Sequence, residues 1–236
     1  MKTKRRGQFI VIDGIDGTGK ATQTEFLVNR LNKSGIKAKA VEFPNYYENF
    51  FGKLLGGYLS GKYGDFVQVD PHIASVLYAA DRFESSDKIR KWLNSGYTVV
   101  ADRYVSANQI HQGGKIRNNK ERVEFLKWLD EMEYGVFKIP RPDIILYLDL
   151  PVALSQKLLR NKLLAVKKRY IEGRKDVVED NLKYMVDSQH SALSIIKKSN
   201  NWKRIHCARN GEVKTREEIH EDILTTLHMS MGLKYK

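Results

Sequence analysis

The chain has 236 residues, 42% of them hydrophobic and 29% charged, which is the composition of a folded globular protein rather than a disordered or fibrous one. Forty-one Lys and Arg against 28 Asp and Glu leave a formal charge of +13, a field that draws phosphates. No run approaches the ~18 apolar residues that cross a bilayer. The single cysteine, Cys207, excludes an intrachain disulfide and a cysteine-built zinc site. Both features point to a soluble, cytoplasmic protein with no membrane partner.

In chain order, residues 8–13 are a short apolar, β-branched run closed by glycine and are predicted as a buried strand. Residues 14–19 form a glycine-rich turn, and helical spacing runs from 20 to about 34, where Gly35 ends it. A strand is predicted over 37–43, stopped by Pro44, then helices over 50–59 and over 72 to about 93 behind the start signal Asp70-Pro71. Strands follow at 97–102 and 143–149, helices at 121–133, 152–164, 178–198 and 215–230, and a last strand at 202–207. Strands alternating with helices imply a parallel sheet covered on both faces. The expectation is one doubly wound α/β domain over residues 1–236.

Gly14-Ile-Asp-Gly-Thr-Gly19-Lys20 fits G-x-x-x-x-G-K between a predicted strand and a predicted helix. Glycines let successive backbone N–H groups curve around a phosphate, the helix offers its positive end, and the lysine reaches the outer phosphates. The Ser or Thr that usually follows, and touches Mg²⁺, is here Ala21, and Thr22 comes one position late. Any metal must then be held by carboxylates and water. Asp102, closing an apolar strand, is placed for that. Asp149 closes a similar strand but has Pro151 close behind it and reads as structural. The Asn-Lys-x-Asp of a GTPase and the Leu-Ser-Gly-Gly-Gln of a transporter ATPase are both missing.

Four segments, Ile12–Lys20 written out as IDGIDGTGK, Glu42-Phe-Pro44, Leu77-Tyr-Ala-Ala-Asp-Arg82, and Asp102-Arg-Tyr104 with Ser106 and Asn108, resemble the thymidylate kinase family of nucleoside monophosphate kinases. The resemblance runs from about residue 8 to 225. It implies a five-stranded parallel sheet, an ATP site on the loop, a dTMP site opposite, a mobile lid and, by analogy, a homodimer. It places Gly14, Gly17, Thr18, Gly19, Lys20, Ala21 and Thr22 against ATP. Asp16, Tyr46, Tyr78, Arg82, Arg103, Asn108 and His111 fall on the dTMP side. Asp16 approaches the sugar 3′-hydroxyl, Tyr78 stacks on thymine, Arg82 donates to O4, and Arg103 grips the phosphate. Lys20, Asp102 and Arg103 become catalytic residues, and Asp102 organises Mg²⁺ and its waters. For Tyr78 and Arg82 the alternatives are a core ring and a surface ion pair.

Residues 157–175 carry eight basic residues against the single acid Glu172. Alone, such a run reads as a solvated face or a nucleic-acid patch; within the resemblance it becomes the lid, at about 157–177. Some family members put a catalytic arginine in the loop, but that position is Gly17, so the lid must supply it, with Arg169 ahead of Arg174 and Lys168. His111 replaces the usual Phe or Tyr under the sugar, which implies a free ring nitrogen and weaker rejection of a ribose 2′-hydroxyl. The implied reaction is ATP- and Mg²⁺-dependent conversion of dTMP to dTDP. The alternatives are a kinase for dUMP or another deoxynucleotide, and a nucleotide-gated nucleic-acid-binding protein. Few aromatics interleave the basic run, which argues against single-strand binding by stacking and makes a nucleic-acid partner unexpected.

Overall fold

A computed structural model describes residues 6–163 and 182–233. Strands β1 (Phe9–Asp13), β2 (Ala38–Glu42), β3 (Thr98–Asp102), β4 (Ile144–Asp149) and β5 (Trp202–His206) form one parallel sheet in the order β2-β3-β1-β4-β5. The helices are α1 (Lys20–Lys33), α2 (Phe50–Leu59), α3 (Pro71–Asn94), α4 (Val105–Lys115), α5 (Asn119–Asp130), α6 (Val152–Leu163), α7 (Leu182–Ile196) and α8 (Arg216–Met231).

Strand alternation builds both layers, because successive side chains point to opposite faces. Phe9, Val11, Val99, Ala101, Ile145 and Tyr147 pack under α3, α4, α5 and α7. Ile10, Ile12, Val100, Ile144, Leu146 and Leu148 pack under α1 and α8. A sheet covered on both faces needs strands with no polar side, and β1, β3 and β4 have almost none. Among the described residues no helix is long and apolar enough to cross a membrane.

The predicted strands and most predicted helices lie within a few residues of the observed ones. Helix α4 was not predicted. Its large aliphatic residues are Val105 and Ile110 alone, while Ser106, Asn108, His111 and Gln112 are all buried. It has no apolar stripe to read, and tertiary contacts hold it instead. Nor do the predicted bounds of 121–133 describe the next helix: α5 ends at Asp130, and a π-helical turn, Glu131–Val136, follows. A short hairpin, β6 (Ala208–Arg209) with β7 (Glu212–Val213), also escaped prediction.

Gly113 and Gly114 let α4 and α7 approach closely. A β-carbon on Gly114 would lie 3.0 Å from the Asp187 carbonyl group and from the Ser188 nitrogen. Backbone cannot yield as a flexible side chain can. Gly114→Val is expected to wedge the helices apart and destabilise the fold by about 1–3 kcal/mol. Urea unfolding measures this, and an unchanged midpoint would contradict the packing described.

Candidate active site

The carboxyl edge of the sheet is a row of acids, with Glu42 ending β2, Asp102 ending β3, Asp13 ending β1 and Asp149 ending β4. Asp149 is held by Arg204 at 2.6 Å and by Gln189 at 3.1 Å, the structural role expected of it. The other three face a cavity of about 950 Å³ or support its wall. Ligand sites in open α/β sheets lie at this edge.

The loop after β1 curls over the edge. Gly17 and Gly19 take φ of 81° and 89°, in the left-handed region that glycine tolerates. Gly19 has open space where a side chain would be, whereas a β-carbon on Gly17 would meet the Ser155 carbonyl oxygen at 2.7 Å. Helix α6 thus leaves no room for a loop arginine. Thr18 Oγ1 and Lys20 Nζ both donate to the Ile15 carbonyl at 2.9 Å, and Lys20 lies 3.8 Å from the Asp16 carboxylate. Burial, then Arg103's charge, hold Lys20 below the ordinary lysine range.

Arg103 follows Asp102 in a left-handed conformation, φ 65°, a backbone state costing about 1–3 kcal/mol outside glycine. This turns its side chain back across β1. The guanidinium pairs with Asp16, lies 4.0 Å from Asp13 and bonds His111 Nε2 at 2.9 Å. Asp13 is fully buried, accepts from the Gly14 N–H at 2.8 Å and from Ser106 Oγ at 2.5 Å, and is pushed up by burial. Burial likewise pushes Asp102 up, against Lys20 and Arg103. The Asp102 Oδ1 atom is buried with no hydrogen-bond partner. An orphaned carboxylate oxygen facing a phosphate loop fits a hard cation that keeps most of its waters. Among the described residues, no group of three or more His, Cys, Asp and Glu could cage a metal without such help.

The other end of the cavity is lined by Tyr46, Tyr78, Arg82, Asn108, His111 and Gln112. The structure overturns the surface reading of Arg82, which is only 1% exposed. Its Nε donates to Glu133 Oε2 at 3.1 Å, its Nη2 to Glu133 Oε1, and its Nη1 to the Tyr104 carbonyl at 3.2 Å. Burial pushes the fully enclosed Glu133 carboxyl up, while Arg82 and Asn108 pull it down. Gln112 Oε1 is buried without a partner. Gln112 lies one helical turn beyond Asn108. Sequence reasoning missed Glu133 altogether. It also missed Lys214 to Arg216, which line the loop end, where Gln23 Nε2 bonds the Arg216 carbonyl at 2.8 Å. Arg169, Arg174, Lys168 and most of the 157–177 lid lie outside the described residues.

His111 also departs from expectation. An arginine only donates, so Nε2 accepts, and Nδ1 carries the proton towards Ser188 Oγ at 3.1 Å. The ring stacks on Tyr184 at 5.6 Å. Both nitrogens are engaged by the protein, which leaves none for a ribose 2′-hydroxyl. Burial first, then Arg103, push its pKa down to about 3. With the folded value below the ordinary 6.5, this group's share of stability is full above that pH and is lost as the pH falls towards 3. The His111 ring nitrogens are expected to show the neutral Nδ1–H form throughout about pH 8 to about pH 5 in ¹⁵N spectra. A titration midpoint near 6.5 would contradict the geometry.

The thymidylate kinase family model matches residues 12–223. Human thymidylate kinase is 34% identical over 153 residues, covering 65% of this chain and 66% of the human one, just under two thirds. The "Probable thymidylate kinase" of Thermococcus gammatolerans is 30% identical over 206 residues, 85% of this chain and 92% of that protein. The solved structure of thymidylate kinase from Candida albicans shares the fold at a TM-score of 0.72 and 23% identity, covering 95% of this chain and 92% of that one. A sheet of this order, a phosphate loop after β1 and a match across most of its length place this chain in the thymidylate kinase family.

Proposed function

We propose that the chain transfers the γ-phosphoryl group of ATP to dTMP, giving ADP and dTDP. The observation that carries this reading is a single cavity with a phosphate loop at one end, an aromatic and hydrogen-bonding pocket at the other, and Arg103 between them. Phosphoryl transfer asks for alignment and charge neutralisation more than covalent help, and such a cavity supplies both. The loop from Gly14 to Lys20 cradles the ATP phosphates, with Ala21 and Thr22 beside them. Arg103 exchanges Asp16 for the dTMP phosphate, with Tyr46 alongside, and Asp16 turns to the sugar 3′-hydroxyl. Tyr78 supplies a face for thymine, while Arg82, Asn108 and Gln112 address its edge.

Asp102 would hold Mg²⁺ through water, in place of the hydroxyl that Ala21 lacks. The ion, when bound, neutralises charge on the transferring group. A lid at about 157–177, with Arg169, completes what we take to be one catalytic domain of a cytoplasmic enzyme. Ile73, Val76 and Phe83 leave an exposed apolar face on α3, beside the exposed Phe50 of α2. That face suits a second copy of the chain in a homodimer.

The test is a coupled ADP-release assay across dTMP, dUMP, dCMP, dGMP and UMP. dTMP is expected to lead. Lys20→Ala and Asp102→Asn are each expected to lower kcat by at least about a hundredfold with the fold intact by circular dichroism. Full activity of either variant would overturn the role given to that residue. Turnover favouring dUMP, or ATP hydrolysis stimulated only by nucleic acid, would replace the reading itself.

A further inference from the structure

The cavity wall formed by Arg82 and Asn108 rests on a group that the cavity does not touch. Glu133 is 0% exposed and belongs to the π-helical turn Glu131–Val136. Met132 and Glu133 both face inward from this turn. Such turns recur at functional sites. From there one carboxylate bonds two cavity residues, Arg82 through Nε and Nη2, and Asn108 through Nδ2 at 3.4 Å.

We propose that Glu133 is a positioning residue that sets the choice of thymine over cytosine by fixing the hydrogen-bonding polarity of Arg82 and Asn108. This rests on the reading that the Tyr78 end of the cavity receives the base. The Asn108 amide donates to Glu133 Oε1 and to the Ser75 carbonyl, the latter at 3.2 Å. Rotating that amide by half a turn would set its oxygen against a carboxylate and a carbonyl, so the orientation is locked. Asn108 therefore offers a base its Oδ1, an acceptor. Arg82 has two N–H groups beyond those bound to Glu133 and Tyr104, so it offers donors. Donor beside acceptor matches the O4 and N3–H edge of thymine or uracil. Cytosine presents an amino group and a bare N3 in the same places, so each polar pair is mismatched. Without the Glu133 carboxylate, Arg82 loses its anchor and only the Ser75 carbonyl still holds the Asn108 amide, so the wall discriminates less between the two bases.

Steady-state kinetics of the full chain with dTMP, dUMP and dCMP test this. The unaltered protein is expected to favour dTMP over dCMP in kcat/KM by at least about a hundredfold, with dUMP much closer to dTMP. Glu133→Gln removes the charge. Glu133→Asp keeps it for Arg82 but draws the carboxylate back from Asn108, and serves if the first variant does not fold. Each folded variant is expected to lose at least about tenfold of that preference, through a raised KM for dTMP, with the KM for ATP unchanged. Preserved preference, or equal rises in both KM values, would overturn the positioning role. Equal use of dTMP and dCMP by the unaltered protein would do so as well. No turnover of dTMP at all would instead remove the reading on which it rests.

Discussion

Everything at the site follows from one electrostatic constraint: three carboxylates, Asp13, Asp16 and Asp102, share a small buried volume with two cations, Lys20 and Arg103. Parallel strands bring Asp13 and Asp102 there, since β1 and β3 are neighbours in register. Buried charge is costly unless paired, and two cations against three carboxylates leave the cluster one negative charge over, with burial pushing Asp13 and Asp102 up. Arg103 contacts Asp16 and His111, and Lys20 rests on the loop carbonyl of Ile15. The arrangement is close to what a phosphate needs, and in the reading we propose an incoming phosphate replaces an existing partner. Groups already aimed and already desolvated stabilise developing charge with little reorganisation.

The surrounding helices hold this cluster through second contacts. Helix α7 comes close enough to α4, through Gly113 and Gly114, for Ser188 to accept from His111 Nδ1 and Tyr184 to cover the ring's face. The neutral ring then acts as acceptor for Arg103 without adding a third positive charge. At the far end, Glu133 does for Arg82 what Asp16 does for Arg103. The difference is permanence. The Arg82 pair is sealed from solvent, and removing one partner leaves a buried charge at a cost of about 3–5 kcal/mol. Asp16 and Arg103 line the cavity and retain some exposure, at 15% and 18% of their side chains.

Much of this was legible in the residues alone. Apolar β-branched runs marked the buried strands because a sheet covered on both faces admits little else. The loop was legible because few residue types tolerate its backbone, and Asp102 was legible as an acid closing an apolar strand, a signal that Asp149 shares although Arg204 and Gln189 hold it structurally. Helix α4 was not legible, since its buried face is made of Ser106, Asn108, His111 and Gln112, and hydropathy treats such residues as surface. Glu133 was hidden for the same reason, and also because a π turn breaks the periodicity that places a residue inside or outside. The position of His111 under the sugar came from resemblance. Its bonding depended on Ser188, 77 residues away, which no local pattern reports.

We propose that one cavity seats two nucleotides with their phosphates meeting over Lys20 and Arg103. Calorimetric titration with adenosine and thymidine joined 5′ to 5′ through an oligophosphate bridge tests it most directly. One such molecule is expected per chain, bound at least about tenfold more tightly than ADP or dTMP alone, because the second half binds at high effective concentration. An affinity no greater than that of ADP, with dTMP still able to bind alongside, would contradict it.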